Sequence, residues 1–206
     1  MIRTSQQAGI WTLTLDRPDK ANSLTAEMLQ ALCHGVDAAI QAQARVLVVT
    51  GAGRVFSAGA DLDEARAGLA TSPLWEDLSA RLANAPCLTI AALNGTLAGG
   101  AFGMALACDL RVCVPEAKFF YPVMKLGFLP QPSDPARLAA LVGPARAKMI
   151  LMAGARITSE EARDWGLVDR IVAPENMTDI VETLAEAAAA ASPTHVAAIK
   201  RLVPDR

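Results

Sequence analysis

Aromatic residues are scarce in this sequence, whose 206 residues include three Trp, one Tyr and five Phe. Charge of one sign does not dominate either, because 19 Lys and Arg stand against 21 Asp and Glu. A protein that binds nucleic acid needs a cationic surface for phosphates and often aromatic rings for stacking on bases. The composition therefore argues against nucleic acid as a partner.

Long apolar runs are also missing, although 52% of the residues are hydrophobic. Charged residues, Pro or Gly interrupt each apolar stretch well before the roughly 20 residues that cross a bilayer. Residues 1–9 are polar and lack the apolar core of a signal peptide. We therefore expect no membrane as a partner and a cytoplasmic location.

Cysteine is limited to four residues, none of which forms a C-x-x-C pair. Zinc and redox sites usually carry such close spacing, so the sequence offers no metal site. The four cysteines lie among apolar residues, which predicts buried free thiols: Cys33, Cys87, Cys108 and Cys113.

The chain does contain a repeated order of strand, small-residue loop and helix. Ile10–Leu15 alternates apolar and polar residues and is predicted as an edge strand, and Thr25 caps an amphipathic helix. Further strands are predicted for residues 45–50, 87–92 and 110–114. Further helices are predicted for residues 61–70, 99–107, 135–152, 159–165, 179–191 and 194–202. This order predicts an α/β fold, with a core domain at residues 1–191 and a short C-terminal helical segment at residues 192–206.

Two of the loops have a composition that suits chemistry at the backbone. Residues 56–62 read F-S-A-G-A-D-L and residues 94–101 read N-G-T-L-A-G-G-A, and each loop leads from a strand into a helix. The first amides of a helix have no partner within it, and small residues let a ligand approach them. The amides of Ala60 and Gly100 are therefore candidate donors to a developing oxyanion.

Ser57 in the first loop offers a different interpretation, as the nucleophile of a serine hydrolase. A nucleophile elbow has the pattern G-x-S-x-G, but Val55 stands at the first glycine position. No histidine is placed nearby in the sequence to activate the hydroxyl, so this reading is the weaker one.

Over nearly its full length the chain resembles the crotonase (enoyl-CoA hydratase/isomerase) superfamily. The resemblance rests on L-D-R-P-D-K-A-N-S-L at residues 15–24, S-A-G-A-D-L at residues 57–62 and N-G-T-L-A-G-G-A at residues 94–101. C-D-L-R, A-K-F, L-V and S-P follow in order at residues 108, 117, 167 and 192. The resemblance implies a spiral of β-β-α units, a homotrimer or hexamer, and an acyl-CoA thioester as substrate. It implies no cofactor beyond the coenzyme A of that substrate.

The resemblance also assigns roles to individual residues. Ala60 and Gly100 match the two oxyanion-hole amides, and Lys20 and Ala21 match the loop beside the coenzyme A nucleotide. The remaining substrate contacts that it implies are Ala58, Asp61, Leu62 and Gly99.

The sequence departs from the family at both glutamates that hydratases use to activate and deliver water. Gly103 stands at the first position and Val123 at the second, and neither can transfer a proton. Asp134 and Tyr121 are the candidate replacements, since a proton-transfer group must lie within hydrogen-bond reach of its proton. Asp134 could instead cap a helix ahead of Pro135, and Tyr121 could be a wall residue.

Two readings of the whole protein therefore stay open. One is an enzyme that performs enolate chemistry on an acyl-CoA thioester, as a lyase or isomerase. The other is a coenzyme A thioester-binding or assembly subunit without turnover. The family usually continues past residue 202 into a helical stretch over the coenzyme, whereas this sequence ends at Arg206. Coenzyme A could be held more openly, a neighbouring subunit could complete the site, or the chain could be a shortened form.

Overall fold

The computed structural model describes residues 1–203, so residues 204–206 of the predicted C-terminal segment lie outside it. The strands are β1 Ile2–Gln7, β2 Ile10–Leu15, β3 Val46–Gly51, β4 Val55–Ser57, β5 Leu88–Leu93, β6 Thr96–Ala98, β7 Leu110–Cys113, β8 Lys118–Phe120, β9 Ile157–Thr158 and β10 Arg170–Ile171. The helices are α1 Ala26–Gln41, α2 Leu62–Arg66, α3 Leu74–Asn84, α4 Phe102–Leu106, α5 Val123–Leu126, α6 Asp134–Val142, α7 Pro144–Leu151, α8 Ser159–Asp164, α9 Met177–Ala190 and α10 Pro193–Leu202.

The strands form two sheets. The larger has the order β1-β2-β3-β5-β7-β10, in which β1 and β2 form an antiparallel hairpin and the other pairs are parallel. The smaller has the order β4-β6-β8-β9, and β4, β6 and β8 run parallel. Parallel pairs require crossover connections, and helices supply most of them here.

Three successive segments repeat one unit. In each, a strand of the large sheet leads into a short strand of the small sheet and then into helix: β3-β4-α2, β5-β6-α4 and β7-β8-α5. The small sheet therefore gathers the ends of β4, β6 and β8 side by side. This arrangement confirms the predicted spiral of β-β-α units.

The core lies between the large sheet and the helices. Helix α1 begins after Thr25, whose hydroxyl accepts a hydrogen bond from the amide of Met28 at 3.2 Å, as predicted. The apolar face of α1 packs on the sheet and on α3, and four positions along that face are fully or almost fully buried: Met28, Leu29, Leu32 and Val36. Burying each such side chain stabilises the fold by about 1.5–3 kcal/mol.

All four cysteines are free and buried, as predicted. Burial raises the pKa of Cys108 and of Cys113 to about 12, and that of Cys87 to about 11. These thiols are therefore poor nucleophiles in the folded protein, because the thiolate is the reactive species.

Several predicted elements differ from the structure. β2 is not an edge strand, because the polar residues of β1 pair along its whole length. The helix predicted for residues 135–152 is two helices, since Gly143 at φ 82° and ψ 157° separates α6 from α7. Helix α2 stops at Arg66, two residues before Gly68 at φ 111°. Helix α8 is capped by Thr158 and closed by a capping box with Glu161, not started by its own first serine.

The chain ends in two helices, α9 and α10, close to their predicted bounds. Residues of α10 are exposed or half-buried, but Lys200 reaches the core and contacts Asp109 at 2.8 Å. The boundary predicted between residues 191 and 192 remains a prediction. No helix within residues 1–203 is both long and apolar enough to cross a bilayer.

Candidate active site

Pairing of two short strands brings the two small-residue loops together. β4 and β6 run parallel, with Val55 opposite Thr96. The loops that follow then touch through their backbones: a Cβ on Gly59 would lie 2.9 Å from the Ala98 carbonyl oxygen, and Gly59 itself has φ 91°. Both the left-handed conformation and this contact require glycine at position 59.

Ala60 lies next to this contact and forms an isolated parallel bridge with Leu24. The Leu24 amide donates to the Gly59 carbonyl at 2.8 Å, and the Asp61 amide donates to the Leu24 carbonyl at 2.8 Å. Ala60 lies between the bonded Gly59 carbonyl and Asp61 amide, and in a parallel bridge the amide of such a middle residue points away from the partner strand. The N–H of Ala60 therefore points away from Leu24.

Gly100 occupies the equivalent place in the second loop, within the 3-10 turn Gly99–Ala101 that leads into α4. Its amide belongs to the first turn, where no carbonyl of the same helix is available. Across the part of the chain that the structure describes, neither the Ala60 nor the Gly100 amide donates to a protein acceptor. The structure thus brings together two loops that each present one unpartnered amide.

An earlier loop, residues 16–24, holds the first of these loops in place. Arg17 contacts the Asp61 carboxylate at 2.8 Å, and the buried Asn22 donates to the carbonyls of Ala52 and Val55. The hydrogen bond from Arg17 lowers the pKa of Asp61 below its usual range. Asp61 also accepts hydrogen bonds from amides at the start of α2, so its carboxylate positions the loop. Sequence reasoning missed Arg17, although it lies within the recognised motif.

The other predicted contact residues surround these loops. Lys20 is exposed at the end of a 3-10 turn, and Ala21 accepts a hydrogen bond from the exposed Ala58 at 3.0 Å. Leu62, beside Asp61, leaves 69% of its surface exposed, which is unusual for leucine. Gly99 has φ 56° and lies against Gly59. Ala21 and Ala58 are therefore in direct contact, as are Gly59 and Gly99.

Asp134 and Tyr121 form a buried pair. Asp134 is fully buried, and its Oδ2 accepts a hydrogen bond from the Tyr121 hydroxyl at 2.9 Å. Burial raises the pKa of Asp134 to about 7, while the Tyr121 hydrogen bond opposes that rise. Burial and the adjacent carboxylate raise the pKa of Tyr121 above its usual range. The capping alternative for Asp134 is wrong, because α6 follows Ser133 and the Asp134 side chain turns to Tyr121 instead.

The pair lies beside Gly103 and Gln131. A Cβ on Gly103 would lie 3.0 Å from Asp134 Oδ1 and closer still to Gln131 Oε1. Gln131 Nε2 donates to the Gly100 carbonyl at 2.8 Å, which connects this group of residues to the second loop. Sequence reasoning missed Gln131 because its role depends on α4 and α6 meeting in space.

α3, which was not predicted, closes the site on a second side. The ring of Trp75 would lie 3.2 Å from a Cβ on Gly100, and its indole N–H donates to the Leu69 carbonyl at 2.8 Å. The next residue, Glu76, accepts hydrogen bonds from the amide and the hydroxyl of Ser133. Helix α3 therefore fixes both the second loop and the start of α6.

The remaining sequence candidates carry no proton-transfer chemistry. Val123 is buried and apolar at the start of α5, so the second family position offers no acid or base. Ser57 is fully buried and donates its hydroxyl to the Asn22 carbonyl at 2.8 Å. The serine-hydrolase interpretation is therefore wrong, because a buried hydroxyl bonded to a carbonyl is not available as a nucleophile. The two histidines that could have activated it, His34 and His195, are exposed on α1 and α10.

A separate groove of about 820 Å³ lies between the C-terminal helices and the start of β7, with Leu106, Ala188 and Lys200 among its lining residues. None of the predicted site residues lines it. The candidate active site at the two small-residue loops is therefore distinct from this groove.

Known proteins are similar to this chain in both fold and sequence. The profile of the enoyl-CoA hydratase/isomerase family matches residues 5–205. A carnitinyl-CoA dehydratase of Salmonella arizonae is 36% identical over 207 residues, which cover 98% of this chain and 79% of that protein. An enoyl-CoA hydratase of Bacillus anthracis superposes with a TM-score of 0.90 at 31% identity, covering 97% of this chain and 81% of that one.

A second solved structure, the enoyl-CoA hydratase subunit I of Geobacillus kaustophilus, superposes with a TM-score of 0.88 at 36% identity. It covers 97% of this chain and 79% of that one. Since a family profile spans almost the whole sequence and the neighbours share its fold, the chain belongs to the enoyl-CoA hydratase/isomerase family of the crotonase superfamily.

Proposed function

We propose that this protein binds an acyl-CoA thioester and stabilises its enolate with the backbone amides of Ala60 and Gly100. The observation that carries the proposal is the contact between the two loops, each of which presents one unpartnered amide. A thioester oxygen placed between both amides accepts two hydrogen bonds that strengthen as negative charge develops on it. Removing one such donor from an enzyme typically costs about 3–4 kcal/mol of transition-state stabilisation.

Coenzyme A binds, in this proposal, along the outer side of the same loops. Lys20 supplies the positive charge for a phosphate group, and the small Ala21 and Ala58 leave room for the chain of the coenzyme. Gly99 and Leu62 border the entry to the amides, and Asp61 holds the loop through Arg17. No separate cofactor is needed, since the amides polarise the carbonyl without one. The relatives named for carnitinyl-CoA and enoyl-CoA substrates support an acyl-CoA as the ligand.

The test uses a conjugated thioester such as a cinnamoyl-CoA, whose absorbance moves to longer wavelength when its carbonyl is polarised. We expect a red shift on binding to the purified protein, and loss of the shift in Ala60→Pro and in Gly100→Pro. Each proline removes one amide proton that has no partner in the structure. Circular dichroism and thermal melting show whether the variants stay folded. Folded variants that bind the thioester with the full red shift would contradict the assignment of these amides.

A second candidate is a thioester-binding or assembly subunit without turnover, which the absence of acids at Gly103 and Val123 favours. Calorimetric binding of crotonyl-CoA, followed by the loss of its conjugated absorbance, separates the two. Binding with turnover supports the enzyme, and binding without any reaction of a series of acyl-CoA thioesters supports the subunit. The homotrimer or hexamer and the cytoplasmic location remain proposals, and analytical ultracentrifugation of the same sample tests the former.

A further inference from the structure

Two consecutive glycines, Gly99 and Gly100, carry the second donor of the proposed site. Gly99 has a left-handed φ of 56°, and Gly100 follows it in the 3-10 turn that leads into α4. Glycine has more backbone freedom than any other residue, so the peptide between these two residues has no stiffness of its own. Donors that stabilise a developing charge have to be fixed in direction before the reaction. Contacts from outside the loop are therefore needed to hold the Gly100 amide.

Two side chains from other parts of the chain lie against Gly100. Its missing Cβ would lie 3.2 Å from the Trp75 ring and 3.2 Å from Gln131 Nε2. Gln131 Nε2 also donates to the Gly100 carbonyl at 2.8 Å. A carbonyl only accepts hydrogen bonds, so the Gln131 amide must turn its nitrogen toward Gly100. Trp75 thus supplies an apolar surface, and Gln131 supplies a bond to the backbone.

The amide of Gln131 extends from Gly100 to Gly103. These glycines are three residues apart, which places them on one face of the turn into α4. The nitrogen of the Gln131 amide contacts Gly100, and its oxygen Oε1 lies closer to the position of an absent Cβ on Gly103 than a real Cβ would tolerate. A side chain at position 103 would therefore displace the Gln131 amide. Gly103 leaves the space, and Gln131 fills it.

The segment that carries Gln131 is restrained from both directions. Pro130 and Pro132 flank Gln131, and a proline limits its own backbone and that of the residue before it. Beyond Pro132, the amide and the hydroxyl of Ser133 donate to the Glu76 carboxylate of α3. The place from which the Gln131 side chain reaches the second loop is therefore set by its own segment and by α3.

The Gln131 amide is held at a cost to stability. Its Oε1 is buried and has no hydrogen-bond partner among residues 1–203. A buried acceptor without a donor costs about 1–3 kcal/mol, whereas a bond such as that from Nε2 contributes about 1 kcal/mol. An apolar side chain of similar length would avoid the cost. Stability therefore does not explain a glutamine at this position, whereas a role in fixing the second loop does.

We propose that Gln131 is a positioning residue for the Gly100 amide, and that position 103 is glycine so that the Gln131 side chain can reach the second loop. This inference rests on the proposed function, because the direction of the Gly100 amide matters only if a thioester oxygen binds to it. Gln131 acts through Gly100 and does not touch the reacting atoms. Without the Gln131 amide the Gly99–Gly100 peptide is free to turn, which weakens its hydrogen bond to the thioester oxygen.

The test measures the red shift of bound cinnamoyl-CoA, its affinity by calorimetry, and the melting temperature of each ligand-free protein. We expect Gln131→Met to lose most of the red shift, with affinity and melting temperature close to those of the wild type. Methionine is similar in length to glutamine but has no donor, and it removes the unpartnered oxygen. Gln30→Met, on the exposed face of α1, is the matched control and should keep the full shift. A full red shift in folded Gln131→Met would overturn the inference.

A double-mutant cycle tests the match between Gly103 and Gln131. Gly103→Ala should lower the red shift in the wild-type background, because the added methyl group displaces the Gln131 amide. Gln131→Ala should lower it as well, and adding Gly103→Ala to that variant should then have little further effect. Gly35→Ala is the control, since it adds a crowded methyl group to α1 against the Leu13 side chain. Equal losses from Gly103→Ala in both backgrounds would overturn the match.

The wild type and the proline variants separate failure of this inference from failure of the proposed function. A wild type that does not bind the thioester, or binds it without a red shift, would overturn the assignment of the two amides and this inference with it. A red shift that Ala60→Pro and Gly100→Pro abolish but Gln131→Met keeps would overturn only the role of Gln131. If Gln131→Met does not fold, Gln131→Ala and its cycle with Gly103→Ala decide the same question.

Discussion

Asp134 illustrates how a buried acidic side chain can work against the stability of its own fold. The pKa of its carboxyl lies at about 7 in the folded protein, against about 4 for an exposed aspartate. The folded state therefore holds a proton that the unfolded state has lost, and the stability contributed by this group falls as pH rises from about 4 to about 7. Above pH 7 the protein carries a buried carboxylate, at a cost of up to about 4 kcal/mol.

We therefore predict that Asp134→Asn is more stable than the wild type at pH 8, by several degrees in melting temperature. The difference should vanish near pH 4, where the wild-type carboxyl is protonated in both states. Differential scanning fluorimetry across this pH range measures it, with Asp77→Asn as the control because Asp77 is exposed on α3. Equal melting temperatures at pH 8 would show that the Asp134 carboxylate is well solvated.

The Tyr121 hydroxyl should help to set the pKa of the buried Asp134 carboxyl. Its hydrogen bond lowers the pKa of Asp134, so Tyr121→Phe should raise that pKa further. Under the proposed enzyme function, the acid limb of kcat/KM for crotonyl-CoA turnover, expected near pH 7 in the wild type, then moves to higher pH. Phe102→Leu is the control, because it removes the ring that stacks on Tyr121 at 5.3 Å and leaves the hydroxyl in place. A limb that stays in place in Tyr121→Phe would exclude Asp134 as the titrating group.

At the scale of elements, Gly143 divides what the sequence presents as one helix. Its φ of 82° and ψ of 157° lie in a region that is almost exclusive to glycine. We predict that Gly143→Ala destabilises the protein by about 1–3 kcal/mol in urea unfolding. Gly154→Ala is the matched control: neither glycine has an atom within 4 Å of its absent Cβ, but Gly154 has φ 68°, where alanine costs only about 1 kcal/mol. Similar losses in both variants would contradict a special role for Gly143.

The elements also show which parts of the architecture sequence patterns can predict. The predictions for α1, β3, β5 and α9 were close, because each has a buried face that produces a clear apolar period. Strands such as β4 and β6 were not predicted, since two or three residues carry no period. β1 was missed because its side chains are polar and its stability comes from backbone pairing with β2.

The same limit applies to the candidate site. Ala60 and Gly100 were identified from the small residues around them, which is a local signal. Asp134 was a candidate proton-transfer residue, but the sequence favoured the interpretation that its side chain caps a helix. A sequence cannot show that the side chain instead contacts Tyr121. Gln131 gave no signal at all, because its contacts with Gly100 and Gly103 join segments about 30 residues apart.

At the scale of the whole molecule, Lys200 makes polar contacts between α10 and the rest of the described chain. Lys200 donates to the Cys87 carbonyl at 3.0 Å and contacts Asp109 at 2.8 Å, while no residue of α10 is buried. We predict that Lys200→Ala increases hydrogen exchange in α10 and leaves exchange in the large sheet unchanged. Arg201→Ala is the control, since Arg201 is exposed. Equal protection of α10 in all three proteins would mean that apolar contacts or a neighbouring subunit hold this helix.

The four buried thiols can report local opening of the protein core through their reaction with a thiol reagent. A reagent that modifies thiolates can reach Cys33, Cys87, Cys108 or Cys113 only when the surrounding structure opens. Cys33 lies in α1, Cys113 ends β7, and Cys87 and Cys108 precede β5 and β7, so each samples a different part of the core. The rate of labelling at each cysteine therefore reports the free energy of local opening at its own place, without the introduction of any dye or substitution.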